Sequence, residues 1–72
     1  MPLSSVSVGD VIEDRSGMTG AVSKTPAMLN IRREFRPDGE LLQVCLCDVR
    51  TDAGQHEIMF VLDRCHLVRK RG

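Results

Sequence analysis

Residues 41–49 read LLQVCLCDV, and TDAG (51–54) and HEIMFVL (56–62) follow almost at once. The first run alternates Leu42, Val44 and Leu46 against Leu41, Gln43, Cys45 and Cys47, with Gln43 the only polar residue before Asp48. Period two over that length is the mark of a strand. Apolar character on both sides predicts a central strand, or one whose second face meets a partner. Thr51-Asp52-Ala53-Gly54 has the form of a type I turn with Gly in the left-handed position, a common hairpin connector. The return run places Ile58, Phe60 and Leu62 on one face and Glu57, Met59 and Val61 on the other. A central β-hairpin therefore organises the chain, and the expected fold class is all-β.

The flanking sequence continues in the same period. Val11-Ile12-Glu13 is a short strand after Gly9-Asp10, and Ser16-Gly17 with Gly20 brackets a tight reversal into Ala21-Val22-Ser23. Asp63-Arg64-Cys65 has the length of one helical turn, and His66-Leu67-Val68-Arg69 closes as a last strand. Residues 25–35 (TPAMLNIRREF) admit two readings. As a helix, Thr25 is the N-cap, Pro26 the first helical residue, and Met28, Ile31 and Phe35 share a face. As a strand, Leu29, Ile31 and Phe35 alternate with Asn30, Arg32 and Glu34, and 36–40 (RPDGE) turns directly into the Leu41 strand. The turn chemistry favours the strand. One domain over 1–72 is expected, with 1–7 a flexible lead-in and 70–72 a frayed tail.

Composition narrows the class of function. The chain has 72 residues, ten Lys plus Arg, ten Asp plus Glu and a formal net charge of zero. That balance argues against a general nucleic-acid coat. The aromatic residues are two Phe, with no Tyr and no Trp; cages and base-stacking platforms built on rings are nearly excluded. Three cysteines, an odd count, with no basic and apolar leader before them, predict reduced thiols and a cytoplasmic chain. No apolar run approaches the length of a membrane-spanning helix.

At Val8-Gly9-Asp10-Val11, then Ser16-Gly17, then Gly20-Ala21-Val22, the chain resembles SH3-like barrel domains. The opening looks like that of KOW-type and related small bacterial barrels, and Val61-Leu62 followed by Cys65-His66-Leu67-Val68 resembles the short turn before their last strand. The likeness touches both ends of the chain and implies a small five-stranded SH3-like barrel with one short helical turn before the last strand. Plasmid-borne type II dihydrofolate reductases, barrels of similar size, share the Gly-Asp start and a later Ser-Gly. Their catalytic surface carries a Val-Gln-Ile-Tyr motif, whereas Ile58-Met59-Phe60-Val61 stands in the corresponding strand here. The resemblance therefore implies a fold without that activity.

Three groups of residues are candidates for a role. Cys45, Cys47 and Cys65, with His66 and His56, have the number and type of zinc ligands. On a regular strand, however, Cys45 and Cys47 stand about 7 Å apart, and Cys65 and His66 face apart. Small buried thiols are the better reading, and no metal or other cofactor is expected. Asp10 reads as a turn-fixing residue, since no acid–base partner stands at a telling spacing. The charges are segregated: 38–63 holds six acids and one Arg, while 64–71 holds four bases and no acid. Arg32, Arg33, Arg36, Arg64, Arg69, Lys70 and Arg71 form a basic patch if the barrel brings their segments together. Leu41, Cys45, Cys47, Met59 and Val61, on the faces opposite those expected to line the barrel, form an apolar interface unless 25–35 folds over them.

These readings predict a non-catalytic binding module that associates with itself and with another protein. An RNA- or ribosome-associated module using the arginine clusters is the alternative, and a small oligomeric enzyme with its site on a symmetry axis is a further one.

Overall fold

Strand β4 (Arg36–Thr51) is 16 residues long, enough to carry three neighbours. The computed structural model describes the backbone of residues 6–33 and 36–71, and the side chains of 6–30 and 39–71. The other strands are β1 (Val11–Asp14), β2 (Thr19–Val22), β3 (Ala27–Arg33), β5 (Gly54–Val61) and β6 (Cys65–Arg69). A 3-10 turn, Leu62–Arg64, joins β5 to β6. β5 runs antiparallel to β4 from Val44↔Val61 to Thr51↔Gly54. The opposite edge of β4 is shared: β3 lies along its first half, from Arg36 to Val44, and β2 pairs Cys47 and Asp48. β2 then pairs β1, and β1 pairs β6.

The result is one six-stranded antiparallel sheet in the order β3-β4-β2-β1-β6, with β5 on β4. It is not the expected five-stranded barrel. A barrel closes only when its two end strands pair; here β5 pairs β4 alone and β6 pairs β1 alone among the described residues. The SH3-like and KOW-type resemblance is overturned with it. Gly-Asp and Ser-Gly reversals shape local turns that any antiparallel meander can use, so they carry no information about closure. Among the described residues, no helix is long and apolar enough to cross a membrane.

Within residues 25–33 the strand is found, since Ala27–Arg33 pairs β4 from Ala27↔Val44 onward; Glu34 and Phe35 lie outside the described residues. The turn expected over 36–40 is absent. β4 already begins at Arg36, which pairs Arg33, so Asp38-Gly39 falls inside a strand. The register shifts between Ile31↔Glu40 and Arg33↔Arg36, and Gly39 sits there with φ +78°. A Cβ at Gly39 would collide with Asn30 Oδ1. The Asp-Gly pair thus makes an irregularity in the ladder in place of a reversal, because glycine alone tolerates both that backbone angle and that approach. The helical turn expected over 63–65 lies one residue earlier.

Directly opposed residues on an antiparallel pair share a face. Cys45↔Phe60, Cys47↔Ile58 and Val22↔Cys47 therefore set one face of the sheet, joined through Ile12↔Leu67 and Asp14↔Cys65 on the β1–β6 side. This is the core face. Ile12, Val22, Cys45, Cys47, Val49 and Phe60 are buried on it, with Val6 from before β1 and Leu62 from the 3-10 turn packed among them. Gly20 lets the layers approach: a Cβ there would stand 2.7 Å from Cys47 Cβ and 3.3 Å from Phe60 Cζ.

Candidate interaction surfaces

The hairpin register redistributes the expected interface. Thr51↔Gly54 leaves a two-residue loop, so odd positions of β4 meet even positions of β5. Cys45 and Cys47 consequently join Ile58 and Phe60 in the core, at 3% and 0% exposure, and do not share a face with Met59 and Val61. Leu41 is 64% exposed on the core-side face, beyond the buried cluster. Of the five residues expected together, Met59 and Val61 remain paired with Leu46 and Val44 on the other face.

That second face is apolar over a continuous stretch. Ala27↔Val44 and Leu29↔Leu42 extend it from β4 onto β3, and Met59 and Val61 extend it onto β5. Leu42 and Val44 are buried, while Leu29 and Met59 are exposed. A cavity of about 280 Å³ lies here, lined by Lys24, Thr25, Ala27, Val44, Cys45, Leu46 and Met59. The Lys24 Nζ atom stands 3.9 Å from Glu57 Oε1, and Ser23 Oγ donates to Glu57 Oε2 at 3.0 Å. The rim thus carries both signs of charge around an apolar floor.

The structure does not gather the three thiols and the two histidines together. Cys45 Sγ and Cys47 Sγ lie 3.6 Å apart, much closer than the strand spacing of their backbones, because both side chains lean into the same core space. With Cys47 as donor, their hydrogen bond and its burial hold the Cys47 proton and push that thiol up, while the same bond lowers Cys45. Cys65 Sγ donates to the Val61 carbonyl at 3.2 Å, and burial raises its pKa to about 11, with the charge of Asp14 adding to the shift. His66 points elsewhere, its Nε2 3.0 Å from Glu13 Oε1 across the β1–β6 ladder, and His56 is exposed on β5. Among the described residues, no three His, Cys, Asp or Glu side chains gather around a common point.

Asp10 is 1% exposed and ties the two ends of the described chain together. Its Oδ2 accepts the Ser7 N–H at 2.9 Å and its Oδ1 accepts the Arg71 N–H at 2.7 Å. Those two bonds, from Arg71 foremost, hold the carboxyl below its ordinary value of 3.8. Val6 is buried in the core and the Arg71 N–H is bonded to Asp10; residues 1–5 and 72 lie outside the described residues.

The seven residues of the expected basic patch fall in three places. Arg32, Arg33 and Arg36 lie on β3 and the start of β4, with side chains outside the described residues. Arg69 ends β6, at the other end of the strand order, and Lys70 and Arg71 follow it, all three exposed. Arg64 is exposed on the 3-10 turn. β2 and β1 stand between the strands of the first group and β6 in the strand order. One feature with a plain sequence signal escaped the reading of the chain: Asp14-Arg15-Ser16 at the β1–β2 turn. Asp14 Oδ1 accepts Ser16 N–H (2.9 Å), Ser16 Oγ–H (2.6 Å) and Met18 N–H (3.0 Å), an Asx-type turn whose Arg15 lines a second cavity that Arg64 also lines. The Ser16 hydroxyl, with those amides, lowers the Asp14 pKa.

No family model, curated protein or solved structure matches this chain.

Proposed function

We propose that the protein is a non-catalytic interaction module that self-associates through the second face of its sheet. The observation that carries this reading is the apolar surface continuing from β3 across β4 to β5, with a cavity against Ala27, Val44, Leu46 and Met59. Exposed apolar surface of this kind marks a partner site on a small domain. A second copy suits it on two grounds. The rim carries Lys24 and Glu57, so a twofold contact can set each against the other across the joint. The formal net charge of zero leaves no overall repulsion between copies.

Sedimentation velocity at micromolar concentration tests the proposal. The chain is expected as a dimer or larger, and Met59→Lys, at a side chain that is 45% exposed, shifts it to monomer with an unchanged far-ultraviolet circular dichroism spectrum. A strict monomer for the unsubstituted chain, or a Met59→Lys variant that still assembles, overturns it.

A further inference from the structure

β5 is paired with β4 along one edge, and its other edge pairs no strand among the described residues. Every second residue of such a strand turns its backbone N–H and C=O outward, ready for another strand. β5 contains no Pro and no Lys, and its register with β4 is unbroken, so it lacks the proline, lysine and bulge by which edge strands turn a further strand away. At Met59, Phe60 and Val61 the strand borders a cavity of about 230 Å³, whose other lining residues are Asp14, Arg15, Ser16 and Arg64. The single carboxylate in that lining, Asp14, is engaged by Ser16 and Met18. Neither Arg15 nor Arg64 has an ion-pair partner among the described residues.

We propose that this cavity binds a carboxylate carried on an extended segment of a partner polypeptide, which adds as a strand to the free edge of β5 and places its acid between Arg15 and Arg64. The free edge contributes hydrogen bonds to any extended backbone, which is the general mode of strand addition. The two guanidiniums contribute the selection, because their planar donor pairs match a carboxylate. Two cations beside one carboxylate leave a single unit of positive charge, which suits a monoanion better than a phosphate dianion. This inference does not rest on self-association through the second face; Met59 borders both cavities, so the peptide test reads Arg15 and Arg64, which line only this one.

The test is a nuclear magnetic resonance titration of the ¹⁵N-labelled full chain with two capped heptapeptides of alternating Thr and Val, one with Glu at its centre and one with Gln. The Glu peptide is expected to move the amides of Met59, Phe60 and Val61 and the Nε signals of Arg15 and Arg64. It is expected to bind roughly tenfold more tightly than the Gln peptide, the usual worth of a charge-assisted hydrogen bond. Arg15→Gln and Arg64→Gln each reduce that preference while leaving binding of the Gln peptide unchanged. Equal affinity for the two peptides, shifts centred on Val44 and Leu46, or no shift at millimolar peptide overturns the proposal. A change in the sedimentation of the double Arg15→Gln, Arg64→Gln variant without peptide would place a second copy in the groove, and overturns it too.

Discussion

Replacing Gly20 by Ala adds one methyl group at the tightest point of the core. The new Cβ would lie 2.7 Å from Cys47 Cβ, 3.1 Å from Val49 Cγ2 and 3.3 Å from Phe60 Cζ. Val49 and Phe60 can give way by small rotations. Cys47 Cβ cannot, because it is fixed to the backbone of β4, so β2 and β4 must part where Val22 pairs Cys47. Overpacking of this sort costs about 1–3 kcal/mol. Loss of glycine's freedom in the unfolded chain offsets about 0.4–1 kcal/mol of that. A net loss of about 1–2 kcal/mol is a substantial part of the roughly 4–11 kcal/mol that a chain of this size has in total. At about 4–8 °C per kcal/mol, Tm should fall by roughly 5–15 °C. The assay is urea and thermal unfolding followed by far-ultraviolet circular dichroism, since the chain has no Tyr or Trp to report by fluorescence. A Gly20→Ala variant as stable as its parent would refute the close approach of β2 to the β4–β5 hairpin.

Two further outcomes follow from the thiols and from Asp10. In native protein at pH 8, a disulfide exchange reagent should modify Cys65 slowly and leave Cys45 and Cys47 unmodified until urea unfolds the chain; rapid reaction of more than one thiol would contradict their burial. The folded pKa of Asp10 lies below its ordinary 3.8, so its stabilising contribution is fully present above that value and is lost as pH falls through the folded pKa. Stability measured by urea midpoint should therefore decline below pH 3.8, and Asp10→Asn should lower the midpoint at neutral pH while flattening the acid decline. An Asp10→Asn midpoint that matches the parent at neutral pH and still falls with it in acid would remove Asp10 from the account.

The central hairpin was legible because period two and a Thr-Asp-Ala-Gly connector are both local signals, written in neighbouring residues. The strand Ala27–Arg33 was only half legible: its alternation competed with a helical face, and the turn over 36–40 that favoured the strand is absent. Asp38-Gly39 misled, because the dipeptide that reverses a chain also suits an irregular ladder, and only the pairing of Arg33 with Arg36 tells the two apart. The Asp14-Arg15-Ser16 turn carried an Asx signal in the sequence, yet its closeness to Arg64 depends on strands that meet through long-range pairing.

The sequence by itself determined that this chain is all-β, that its strands are short around one long hairpin, and that its chemistry lacks aromatic platforms. Those follow from residue type and from a period that each segment displays alone. Tertiary structure decided that the sheet stays open, that Cys45 and Cys47 point inward against Phe60, and that Arg15 and Arg64 share a cavity beside β5. Each of these depends on which edge meets which, and a strand's alternation is identical whichever of its faces is buried. The two-residue loop at Asp52-Ala53 set the register, and the register chose the face.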